Sequence, residues 1–144
     1  MKNSFIILMV LLLTNCKTVQ TSTVSTSSAN LENTYWKLSE MNGMPVVTPA
    51  DAKEVHFILT SENGESRIKG FAGCNALGGN FVRNGNKINF VTVTTRMMCA
   101  ERMDVENYLI GVLTNTDSYK ISGETLELYQ GNTFLAKFDS VYLK

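Results

Sequence analysis

At 144 residues the chain is sized for one domain with a modest core. Its 13 Lys and Arg balance 13 Asp and Glu, spread along the sequence with no basic stripe or acidic tail, so nothing in it points to nucleic acid as a partner. The 44% hydrophobic content and mean hydropathy of −0.03 are inflated by the N-terminal segment and overstate the core.

That segment, MKNSFIILMVLLLTNC, opens with Lys2 and continues as an apolar run from Phe5 to Leu13. The run fits the apolar core of a secretory signal and is too short to span a bilayer as a helix. Leu13-Thr14-Asn15-Cys16 resembles the lipobox of bacterial lipoproteins, in which the cysteine is acylated and becomes the first mature residue. Asn15 departs from the small residue usual before that cysteine. The alternative is an ordinary signal peptide with an incidental cysteine. Lys17 to Asn30, KTVQTSTVSTSSAN, is dominated by Ser and Thr and buries too little surface to offset its ordering entropy. The expected organisation is a signal peptide at 1–15, a lipidated Cys16 with a polar tether at 16–30, and a globular domain at 31–144. Acyl chains on Cys16 would hold the chain to a membrane at about 0.8 kcal/mol per buried methylene. Lys17, rather than a retention aspartate, follows the cysteine, so the expected location is the periplasmic face of an outer membrane.

From Leu31 onward, turn signals recur every several residues and the intervening segments favour strands. TYWKLSEM sets Trp36, Leu38 and Glu40 against Tyr35, Lys37 and Ser39, with Asn42-Gly43 as a turn. EVHFILT sets Val55, Phe57 and Leu59 against His56, Ile58 and Thr60, and ENGE turns the chain into SRIKGFA. GNFVR, the turn NGN at 84–86, and KINFVTV follow, the last with Ile88 and Phe90 on one face. SYKIS, TLELYQ and TFLAKFDSVYL complete about eight candidate strands, the spacing of an antiparallel sandwich or barrel.

One segment breaks the alternation. Between Ala100 and Asn115, Val105, Leu109, Val112 and Leu113 follow the i, i+4, i+7, i+8 stripe of a helix, with Glu101 and Asp104 early in the span where the dipole favours negative charge. Gly111 inside it implies a close neighbour. A lone helix in a β domain covers or plugs the curved sheet.

The run GFAGCNALGGN at 70–80 has the glycine spacing of a phosphate-binding loop, but Gly79 and Asn80 stand where Lys and Ser or Thr are needed. A nucleophilic cysteine would need a base, and His56, the one histidine, reads as a solvated strand residue. Cys74, Cys99 and His56 lack the close paired spacing of a zinc site. Met97, Met98 and Met103 read as adaptable core filler rather than soft-metal ligands. No cofactor is implied. The run reads instead as a structural loop: Gly70 and Gly73 permit close backbone approach or positive φ, Gly78-Gly79 a second sharp change of direction, and Asn75 a side-chain bond to nearby backbone. With Cys16 acylated, Cys74 and Cys99 remain as an even pair that an oxidising envelope allows to bridge. The alternative is two buried, reduced thiols.

Trp36-Lys37-Leu38, GFAGCN at 70–75, TTRMMC at 94–99 and YKISGETLEL at 119–128 together resemble the META domain, the HslJ-like family, over about Leu31 to Lys144. The resemblance implies a mainly β fold, a small antiparallel β-barrel-like sheet with one α-helix, in proteins that are often envelope lipoproteins. It implies no reaction. The family is linked with stress and novobiocin tolerance, without an agreed ligand or catalytic residue. The expected function is a non-enzymatic, lipid-anchored module that binds an envelope protein or small ligand. The alternative is a thiol-dependent redox protein using Cys74 and Cys99, which the lack of a C-x-x-C spacing disfavours.

Overall fold

The computed structural model describes residues 28–142, and the expected signal peptide, the expected lipidation site Cys16 and most of the expected tether lie outside them. The eight expected strands are present. In chain order they are β1 (Tyr35–Met41), β3 (His56–Glu62), β4 (Glu65–Phe71), β5 (Ala76–Asn84), β6 (Lys87–Thr94), β7 (Ser118–Ser122), β8 (Thr125–Gln130) and β9 (Thr133–Val141). A two-residue strand, β2 (Met44–Pro45), returns from the Asn42-Gly43 turn onto β1. Every ladder is antiparallel, running β1-β3-β4-β5-β6-β7-β8-β9, and β9 pairs back onto β1, so the hydrogen-bonded strands form a ring. The sheet is mainly β, barrel-like and carries one helix, α1 (Met103–Asn115).

Strict alternation fills the ring. Trp36, Leu38, Phe57, Leu59, Ile68, Ile88, Leu126, Leu128 and Phe138 point inward and are essentially inaccessible. Phe57 sits edge-on to Phe138 with ring centroids 4.9 Å apart, a contact that adds to its area burial. A register shift between Leu38 and Glu40 in the β1–β9 ladder bends the sheet where it closes.

Residues before β1 complete one end of the body. Trp36 Nε1 donates to the Leu31 carbonyl at 2.9 Å, Asn33 N–H to Leu59 O at 2.8 Å, and Ala29 N–H to Gly123 O at 2.8 Å. Ala29, which the sequence places with the tether, is buried in the core together with Leu31, so packing begins two residues before the expected boundary.

The ring is weakest between β6 and β7, joined by the single pair Lys87–Ser118. The chain between these strands contains α1, which packs on β6 and reaches β8. Leu109, Val112 and Leu113 of the expected stripe are buried and Val105 is partly so. The helix begins at Met103 rather than Ala100, leaving Glu101 in the preceding turn. Gly111 has open space where its Cβ would be, so no close neighbour explains it.

Candidate functional site

The expected structural loop sits where α1 meets the sheet, and its residues act differently from one another. Gly70 lies within β4, where an added Cβ would strike the His56 carbonyl oxygen on β3. Gly78 and Gly79 are not a turn. Both lie inside β5, whose ladders with β4 and β6 run through them unbroken. An added Cβ on Gly79 would land on the Val91 carbonyl of β6, so close strand approach, not chain reversal, excludes a side chain there.

Gly73 also has a backbone that calls for glycine. Its φ is +139°, and its Cβ would lie 3.1 Å from Arg102 O and 3.3 Å from Glu106 N at the start of α1. That approach lets the next two residues meet a helix side chain. Cys74 N–H and Asn75 N–H donate to Glu106 Oε2 at 3.1 and 2.7 Å, and Asn75 Nδ2 donates to Oε1 at 2.8 Å. Asn75 Nδ2 also donates to Met97 O at 3.0 Å, while its Oδ1 accepts from Met97 N–H at 2.7 Å and Thr95 Oγ1 at 2.8 Å. Glu106 and Asn75 are 4% and 1% exposed, and their carboxylate and amide are satisfied within the protein.

A Cys74–Cys99 disulfide closes the same junction, with Cα atoms 5.8 Å apart. Cys74 is buried and Cys99 partly exposed. The Glu106 carboxylate therefore binds one loop to the helix, the bridge binds it to the segment between β6 and the helix, and Asn75 contacts both. The role of Asn75 exceeds the local turn bond expected of it, because its partners lie 20–31 residues away.

His56 stands apart from this junction and is not solvated. It is 8% exposed, its ring stacks on Tyr35 at 4.2 Å, and its Nδ1 meets the Glu54 carbonyl at 2.9 Å. Burial lowers its pKa, against which the Glu54 carbonyl bond acts in the opposite sense. Alternation correctly sets His56 on the face opposite Phe57 but says nothing of what covers that face. Register does so: Lys37 pairs with His56, and Lys37 Nζ forms an ion pair with Glu54 at 2.6 Å. Met97 and Met98 are likewise not core filler, being 60% and 95% exposed, and Met103 is only partly buried.

Glu106 escaped notice in the sequence. Its signal was positional: 106, 109 and 113 share one helix face, so a carboxylate falls on an otherwise apolar stripe.

A nine-stranded, barrel-like antiparallel sheet whose G-C-N and M-M-C segments are fastened to a single helix defines the class of protein. The META domain family matches residues 29–141, and the chain belongs to that family. A protein from Burkholderia xenovorans solved by NMR shares the fold, with a TM-score of 0.63 and 24% identity over 78% of this chain and 85% of that one. A second NMR structure aligns with a TM-score of 0.59 and 20% identity over 76% and 90% of the two chains. Comparison with curated protein sequences gives no match.

Proposed function

We propose that this META-domain protein is a non-enzymatic, lipid-anchored component of the cell envelope that binds a partner protein or small ligand and serves stress tolerance. The observation that carries the non-enzymatic reading is the closed polar network of the family-like segments. Asn75 spends its N–H, amide and carbonyl groups on protein partners, and both Glu106 oxygens accept from the loop. A catalytic group must reach its substrate, and these side chains are buried and engaged with the protein itself. The interior is filled by Trp36, Phe57, Leu59, Leu126 and Phe138, so binding would use the outside of the ring. The thiol-redox alternative would use Cys74, which is buried, and Cys99, which is partly exposed.

The anchor reading rests on the Leu13-Thr14-Asn15-Cys16 resemblance and the polar stretch after it. Intact-mass spectrometry of the protein purified from its native membranes tests it. The expected product starts at Cys16 and carries acyl mass. A chain retaining Met1, or a cleaved chain without lipid, would overturn it.

A further inference from the structure

Of the eight large apolar side chains exposed among the described residues, three share the outer face of β5 and β6 and two more follow directly on the next loop. Val82 stands on β5, Val91 and Val93 on β6, and Met97 and Met98 on the loop that follows. The ladders make the strand positions neighbours. Lys69, Gly78 and Val93 form one cross-strand row, and Arg67, Asn80 and Val91 the next. Gly78 interposes no side chain between Lys69 and Val93.

Charge along these strands is predominantly positive, with Glu65 at the start of β4 the one acid on them. After Glu65, the chain to Ala100 carries Arg67, Lys69, Arg83, Lys87 and Arg96 and no Asp or Glu, although the whole protein has zero formal charge. Arg83, in register with buried Ile88, falls on the face opposite Val82. The balanced total therefore conceals an excess of cations along this stretch. Arg67, Arg83 and Lys87 pair with Glu65, Glu32 and Asp117. Lys69 and Arg96 are exposed and enter none of the ion pairs among the described residues.

Uncompensated cations beside valine and methionine suit the headgroup level of an anionic bilayer, where cations meet phosphate and apolar side chains enter the acyl boundary. Cys16 and Ala29 are thirteen positions apart. That length spans up to about 45 Å when extended. The radius of gyration expected for a body of this size is only about 13 Å. A chain anchored at Cys16 can therefore lay any wall on its own leaflet, at high effective concentration.

We propose that the outer face of β4, β5 and β6 with the Met97-Met98 loop is a docking surface for anionic phospholipid. It rests on the anchored reading only for its local concentration. The surface chemistry itself does not require acylation of Cys16.

The test places a tryptophan reporter on the wall of the full chain, reconstituted into vesicles containing brominated lipid. Trp36 is wholly buried and gives a constant background. Val93→Trp should shift to the blue and be quenched in vesicles containing phosphatidylglycerol, but not in phosphatidylcholine alone. Lys120→Trp, at an exposed β7 position, should remain unquenched in both. Lys69→Gln with Arg96→Gln should lower the docked-to-undocked ratio about thirty-fold, at roughly 1 kcal/mol per cation. Val91→Trp supplies a second reporter should Val93→Trp fail to fold. Quenching that is absent, independent of lipid charge, or equal at positions 93 and 120 overturns the proposal, including the case where an acidic protein covers the wall instead. Lost docking with an acylated Cys16 would leave the anchor reading standing; docking retained without acylation would do the reverse.

Discussion

Glu106 shows how much one side chain can hold. Its carboxylate accepts three N–H bonds from Cys74 and Asn75 across the gap between helix and sheet. Removing it strands two buried backbone donors, each costing about 1–3 kcal/mol. Glu106→Ala should therefore destabilise by about 2–5 kcal/mol in urea denaturation, and Glu106→Gln, which keeps one acceptor oxygen, by less. A loss below about 0.5 kcal/mol for the alanine variant would show that the network carries little. Gly73→Ala should also destabilise, since its positive φ and its approach to Arg102 O both oppose a side chain. His56 adds a pH dependence of definite sign. Burial lowers its folded pKa, so the folded state binds fewer protons than the unfolded state near and below neutrality. The stability this contributes is present above the unfolded value of about 6.5 and is lost as pH falls through the folded value. Tm should therefore decline between about pH 8 and pH 5.5, and the decline should flatten in His56→Phe, which keeps a ring against Tyr35. Equal slopes in the two proteins would remove His56 as the cause.

Among the elements, α1 alone is held to the ring without a strand ladder. It lies over the seam where β6 and β7 share one register pair, and its place is fixed by an apolar stripe, one carboxylate and the Cys74–Cys99 bridge. The bridge spans 25 residues. Loop-closure entropy assigns such a constraint about 3.5 kcal/mol. Replacing both cysteines by Ser should lower stability by about 2–5 kcal/mol and leave the strands formed. Hydrogen exchange should then accelerate first in α1 and the 95–102 segment, ahead of β1 and β9. Uniform acceleration throughout would mean that helix and ring open as one unit.

The same contrast explains what the sequence made legible. Each long strand is buried on one face, so Trp36/Leu38, Phe57/Leu59 and Ile88/Phe90 announce themselves by alternation. β2 has two exposed residues and no face to bury, and leaves no such trace. Gly78-Gly79 looks like a turn because composition cannot tell a reversal from a strand pressed against its neighbour. In the candidate site, Gly73, Cys74, Asn75 and Cys99 were visible as a local motif. Glu106 was not, because its partnership with Asn75 crosses 31 residues and depends on where the helix lands.

At the scale of the whole molecule, the ring is filled, its family-like segments are consumed in joining loop, β6 and helix, and cations predominate from Ser66 to Ala100 although the total is zero. On the proposed reading such a protein presents surfaces rather than a reaction centre, and its disulfide is a fixture rather than a reagent. Thiol trapping in growing cells tests that directly. Cells are acid-quenched with and without oxidative or antibiotic stress, free thiols are alkylated, and the Cys74 and Cys99 peptides are mapped without reduction. The expected result is one intramolecular bridge in essentially every molecule under all conditions. A substantial reduced fraction that changes with stress, or a mixed disulfide between either cysteine and another protein, would contradict it and make the pair a working redox couple.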